Sequence, residues 1–209
     1  MRQYLILFLL FLFQLTYAPI LPKEYQYNPQ KVEKLNVVKL EQKLDSIDLK
    51  YTEKLNINKF FTKSNRRQVR QIAKEIGIES KWLYQIFYVE CLKFGDIHKT
   101  NPYSNATGLI GFLPSTAQYL GTSTEEIQKM SMHQQLNLTH KYLKIMAKDK
   151  EIKNEVDLYL LIFRSTALGK PDNYIIGEKD SQISEQNPIF RNESGTITVK
   201  DIRNFISNI

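Results

Sequence analysis

One cysteine in 209 residues, Cys91, excludes an intrachain disulfide and any zinc site built from several cysteines. Histidine is nearly as scarce. His98, His133 and His140 are scattered, and no carboxylate pattern completes a metal site with them. Neither a metal nor a cofactor is therefore expected. The chain also lacks internal repeats and low-complexity blocks, and beyond residue 65 it shows almost no period-two alternation of apolar and polar residues. A mainly α domain is the expectation that follows.

Long apolar runs are absent except at the N-terminus. There Arg2 precedes a run from Tyr4 to Phe13, followed by Gln14, Leu15 and the segment Thr16-Tyr-Ala18. The run is shorter than the roughly 20 residues that cross a bilayer, and its order is that of an export signal. Pro19 hinders cleavage directly after Ala18, so an uncleaved anchor extended through Leu21 stands beside a cleavable signal. In both cases the folded part is expected outside the cytoplasm: periplasmic, membrane-anchored or extracellular. The formal charge of +7 favours an anionic partner: nucleic acid, an acidic membrane surface, or an acidic polymer such as a bacterial wall.

Residues 1–21 thus read as signal or anchor, 22–63 as a polar, lysine-rich and partly helical spacer, and 64–209 as one folded domain. In the spacer, Val32, Leu35, Val38, Leu40, Leu44, Ile47 and Leu55 recur too unevenly to sustain heptads. In the domain, Ser80 is placed to cap a helix running to Phe94, with Gly95 as its left-handed stop. Pro114 opens a short helix ended by Gly121. Ser123 with Glu126, and Ser131 with Gln134, form reciprocal caps for the next two helices. A strongly apolar helix follows from about 155 to 168, stopped by Gly169 and Pro171. The segment Asn192 to Thr198 has the rhythm of a calcium loop, but Phe190 at its first ligand position cannot coordinate; a plain turn into a helix capped by Thr198 is expected. Arg66, Arg67 and Arg70 alternate with Val69, Ile72, Ala73 and Ile76, which reads as the solvated face of an amphipathic helix and not as a nucleic-acid site.

On the expected helix, Leu83, Phe87, Glu90 and Phe94 share one face, so a carboxylate points toward the core. Burial disfavours the charged form and makes a carboxyl group a competent proton donor near neutral pH. A structural glutamate paired to an arginine is the alternative. Asp96 and Glu79 are the nearest other acids, and neither stands at a helpful spacing. Cys91 with His98 could form a cysteine hydrolase pair, but a lone cysteine more commonly packs as a small apolar residue.

The segment after Glu90 runs through Asn101-Pro102 to Ala106-Thr-Gly-Leu-Ile-Gly-Phe-Leu-Pro-Ser-Thr-Ala117 and Leu120-Gly121. A helical Glu, an Asn-Pro loop and this turn resemble the transglycosylase SLT domain of the lysozyme-like superfamily, above all its phage-type and secreted members. The similarity runs roughly from Val69 to Ile206 and includes Asp157-Leu-Tyr-Leu and Ala167-Leu-Gly-Lys-Pro-Asp-Asn-Tyr174. It implies a lysozyme-like helical domain that cleaves the β-1,4 bond between N-acetylmuramic acid and N-acetylglucosamine in peptidoglycan. Glu90 matches the single catalytic acid/base, which protonates the leaving oxygen and then helps the muramoyl 6-hydroxyl close a 1,6-anhydro ring. Thr107, Gly108 and Leu109 match the substrate-facing turn, and Tyr103, placed in a loop, is read as groove-lining. A monomer acting on glycan strands is implied.

Three positions depart from the family pattern. Cys91 stands where Ser is common, and Gly111 replaces a Gln, which removes one side-chain bond near the substrate. The Tyr that often bonds the Glu is missing from Leu161-Ile-Phe-Arg-Ser-Thr166, and Arg164 in that stretch would spoil the acid if it approached Glu90. A degenerate lysozyme-like module that binds wall glycan without cleaving it is the alternative expectation.

Overall fold

A computed structural model describes residues 29–209. The expected export segment lies outside the described residues. The chain divides into two compact units, residues 1–44 and 45–209. In the first, the described part belongs to helix α1 (Pro29–Lys54), which leaves Val37, Val38 and Leu40 exposed. Among the described residues no helix is long and apolar enough to cross a membrane.

The second unit is mainly helical. After α1 come α2 (Lys63–Ile76), α3 (Ser80–Glu90), α4 (Pro114–Tyr119), α5 (Thr124–Ile127), α6 (Met132–Met146), α7 (Glu155–Arg164), α8 (Gln182–Gln186) and α9 (Val199–Ser207). α3 is the hub. It packs on α2 and α7, while α2 also packs on α6, and α9 on α7. Leu83, Tyr84, Ile86 and Phe87 of α3 and Leu158 and Leu161 of α7 are fully buried. Each such aliphatic or aromatic side chain contributes about 1.5–3 kcal/mol by leaving water.

The expected caps form. Ser123–Glu126, Ser131–Gln134 and Thr198–Asp201 each bond reciprocally, so the 192–198 segment is a turn that feeds a capped helix. Asn192 Oδ1 accepts the amides of Ser194 and Thr196, which closes that turn on itself. The apolar helix is capped by Asn154 and ends at Arg164, three to four residues early, where a 3-10 turn Ser165–Ala167 takes over. Period-two patterning does not reveal one short sheet: β1 (Ile175–Gly177) pairs antiparallel with β2 (Ile197–Thr198), strands too short to alternate visibly.

Two expectations about the entry to the domain need correction. The compact unit begins at Asp45 and not at residue 64, because Leu55, Ile57 and Phe61 belong to its core. Of the arginines of α2, Arg67 is exposed as expected, but Arg66 and Arg70 are not part of a solvated face. Arg66 is buried and forks onto Asp45 at 2.9 and 3.0 Å, and Arg70 reaches Asp48 at 2.6 Å. These charge-assisted pairs bind the end of α1 to α2, and the Arg66 guanidinium holds the Asp45 carboxyl below its ordinary range.

Candidate active site

Glu90 is the last residue of α3. Cys91 leaves the helix at φ −141°, ψ −39°, although its amide still bonds Phe87 O at 3.1 Å. A 3-10 turn, Leu92–Phe94, follows and is closed by Gly95 at φ +78°. The single helix expected through Phe94 is therefore broken at Cys91, whose buried thiol packs under the next loop, 3.7 Å from Leu109 O. Leu83 and Phe87 flank the acid from the core as expected, but Phe94 is turned outward and is 56% exposed. Ser80 is not the cap: its hydroxyl donates to Asp48 Oδ1, and the cap residue Glu79 makes no capping bond, its carboxylate pairing with Lys81 at 2.8 Å.

Glu90 as a whole residue is half-buried at the end of α3, while its carboxyl lies among packed groups. Burial pushes its carboxyl above the ordinary carboxylate range. Three groups pull the other way: the Tyr159 hydroxyl, which donates to the carboxyl, and the ammonium groups of Lys93 and Lys99. Tyr159 lies on α7 and is itself buried, its ring stacked on Phe163 (5.7 Å) and edge-on to Phe190 (5.8 Å). Burial and the facing carboxylate push the phenol well above its ordinary range, so it is a donor at every relevant pH.

The expected absence of a phenol is thus corrected: one is supplied from Tyr159, five residues before Arg164. Arg164 is exposed and is not among the charges acting on Glu90. The signal for Tyr159 is present in the sequence. A tyrosine at a core position of a strongly apolar helix must bond its hydroxyl to something, and Glu90 is the acid aimed at that core.

The loop opposite α3 is a tight turn. Thr107 exchanges both backbone bonds with Phe112 (2.9 and 2.8 Å), and Gly111 N donates to Gly108 O at 3.1 Å. Gly108 N donates to Lys99 O at 3.1 Å, and Leu109 N to Gln135 Oε1 at 2.7 Å. Thr107, Gly108 and Leu109 are buried, and their amides are all committed inside the protein. They set the turn's shape. Gln135, not singled out from the sequence, locks it: fully buried, it also donates to Ile97 O (2.9 Å) and Ile127 O (3.3 Å). A glutamine one residue after a capping residue carries no pattern that would reveal this.

Gly111 brings the turn to the acid. A Cβ there would lie 2.9 Å from Glu90 Oε2, and the backbone is left-handed at φ +64°. Gly111 therefore does more than remove a side chain from the turn: it leaves the carboxyl its place. A recess of about 40 Å³ adjoins it, lined in part by Ile110, Phe112, Tyr142 and Ile162. That volume suits water and not a sugar ring. A larger recess, about 350 Å³, lies between the end of α1 and the start of α3 and shares no residue with the site.

Tyr103 is 74% exposed in its loop, with its carbonyl accepting from Gln186 at 3.3 Å. Asp96 is exposed and caps its own turn through His98 N at 2.7 Å, so it takes no part at Glu90. Burial pushes the Cys91 thiol far up, against a role as nucleophile. Among the described residues no group of three or more His, Cys, Asp or Glu could hold a metal ion. Comparison with protein-family models, curated proteins and solved structures finds no match to the chain. The chemistry available is that of one carboxyl group whose proton affinity burial raises, able to give a proton and take it back.

Proposed function

We propose that the protein is a peptidoglycan lytic transglycosylase with a lysozyme-like helical domain, exported by its N-terminal segment. The observation that carries this reading is the Glu90 site: one carboxyl raised by burial and bonded by the Tyr159 phenol, with neither a guanidinium nor a second carboxylate among the charges acting on it. Hydrolytic glycosidases of the two-carboxylate kind need a partner acid to activate water or to form a glycosyl-enzyme. A single acid suffices when the attacking group belongs to the substrate.

Glu90 would protonate the glycosidic oxygen as the C1–O bond breaks. The carboxylate so formed is stabilised by the Tyr159 hydroxyl, and it then takes the proton of the muramoyl 6-hydroxyl as that oxygen closes on C1. Proton and charge balance over the two steps, and the products are a free N-acetylglucosamine 4-hydroxyl and a 1,6-anhydro end.

The test is mass analysis of the fragments released when the full chain is incubated with purified peptidoglycan. Anhydro ends are expected. Reducing ends would mean hydrolysis, and no release across roughly pH 4 to 8, with binding retained, would leave the glycan-binding module. Glu90→Gln is expected to lower turnover by about 10²- to 10⁴-fold or more while binding to the wall persists.

A further inference from the structure

Beside Glu90 stands a second feature. The 3-10 turn that ends α3 carries Lys93 and Phe94 outward, and Gly95 reverses the chain so that Lys99 returns over the same ring. Lys99 Nζ lies 2.8 Å from the Phe94 centroid and Lys93 Nζ 5.0 Å from it; Lys93 also faces Phe205 of α9 at 5.7 Å. Among the described residues neither ammonium is within ion-pair distance of a carboxylate. The two repel one another, and burial lowers the pKa of both. Two ammonium groups therefore converge on a half-exposed aromatic ring at the edge of the acid, and Glu90 is the one carboxyl group among the charges acting on both of them.

We infer that Lys93 and Lys99, gathered over Phe94, form a subsite for a carboxylate carried on a sugar ring, with the carboxylate between the two ammonium groups. This rests on the glycan-cleaving reading and deepens it: the substrate is a strand whose muramyl residue bears an acid substituent next to the bond that Glu90 addresses. The acid has two sources, the lactyl carboxylate of a bare muramyl residue and the carboxylates of its peptide stem. An anion there cancels the mutual repulsion of the lysines, which an uncharged saccharide cannot do.

The test measures binding to the full-length Glu90→Gln protein, so that no cleavage intervenes. Three probes are used: an uncharged β-1,4-linked N-acetylglucosamine hexasaccharide, a peptide-free muramyl oligosaccharide, and the same oligosaccharide with its peptide stem. Replacing Lys93 and Lys99 together by Gln is expected to weaken an acidic probe by roughly three- to tenfold per lysine at low salt, and to leave the uncharged probe unchanged. Loss on the peptide-free muramyl probe alone assigns the lactyl carboxylate, loss on the stem-bearing probe alone assigns the stem, and loss on both means that the subsite takes either carboxylate, since the stem is joined through the lactyl carboxyl. The pair Lys93→Arg, Lys99→Arg should restore most of the affinity. Equal weakening on all three probes, no weakening on any, or no binding of any probe overturns the subsite. Anhydro products from the native protein together with an unselective double variant would sink this inference alone. Selective binding with no product would sink the cleavage reading alone.

Discussion

Replacing Gly111 by alanine separates the placement of the acid from the stability of the fold. The added Cβ meets Glu90 Oε2 at 2.9 Å and the carboxyl carbon at 3.9 Å, on a backbone held at φ +64°. Two costs follow, and they fall on different quantities. A side chain in left-handed backbone costs about 1–2 kcal/mol, which lowers the melting temperature by roughly 2–4 °C per kcal/mol in a chain of this size. The close contact is with the far end of a flexible side chain, so it is relieved by rotation of the carboxyl and adds little to the instability. What it changes is geometry, and a misplacement of about 1 Å at a reacting group costs about 10²-fold in rate. Gly77→Ala is the matched control, since Gly77 has φ +79° and an added methyl there would meet nothing within 4 Å. Thermal melts should drop alike in the two variants. Release of soluble fragments from peptidoglycan should fall about 10²-fold in Gly111→Ala only. Gly111→Gln should fare no better, because the first atom of the side chain already collides. Matched melting losses with equal rates in the two variants would refute the claim that the carboxyl keeps this position bare.

Four further outcomes follow. Tyr159→Phe keeps the contacts with Phe163 and Phe190 but removes the bond that favours the carboxylate; the Glu90 pKa rises, the alkaline limb of kcat/KM moves to higher pH, and the rate falls about tenfold or more. Glu90→Gln should be more stable relative to the native protein at pH 8 than at pH 4 in thermal melts. The raised Glu90 pKa contributes stability below its ordinary value of 4.5 that is lost as pH rises through the folded value, and glutamine has no such loss. Arg66→Met strands Asp45 and should cost about 2–4 kcal/mol by denaturant titration, since the pair is mostly but not wholly buried; the lowered Asp45 pKa means that the native advantage is present above the unfolded carboxylate pKa and fades as pH falls through the folded one. Gln135→Leu leaves the Leu109 amide without its acceptor and should cost about 1–3 kcal/mol per stranded group while loosening the turn against Glu90, seen as faster hydrogen exchange across 107–112.

Local rules carry most of the fold. Ser123, Ser131 and Thr198 can be read as caps because a capping box is decided within four residues. The break at Cys91 cannot, because nothing in Val-Glu-Cys-Leu-Lys forbids a helix, and the contact the thiol makes there, with Leu109 O, lies eighteen residues away in sequence. The ion pairs of Arg66 and Arg70 escape notice for a similar reason: an amphipathic pattern describes α2 alone and cannot know that Asp45 and Asp48 wait on another helix. At the site, Glu90 is legible as a charge in an apolar stripe. The family pattern puts its phenol in one stretch of the later helix, whereas here it lies a turn earlier, on the face that the core contacts select.

The forces on Glu90 oppose one another, and the opposition suits an acid that must also serve as a base. Burial alone would hold the proton too firmly for transfer to a glycosidic oxygen, since a donor works best with its pKa near the working pH. Tyr159, Lys93 and Lys99 all act against burial, and each does so by favouring the carboxylate. Their effect is therefore greatest at the moment when the proton has left and the negative charge has appeared. The Tyr159 bond needs no reorganisation to meet that charge, because stacking on Phe163 and Phe190 already fixes the ring. A guanidinium in the same place would go too far, keeping the group ionised before the sugar arrives. A phenol and two ammonium groups offset burial only in part, since the carboxyl still lies above its ordinary range.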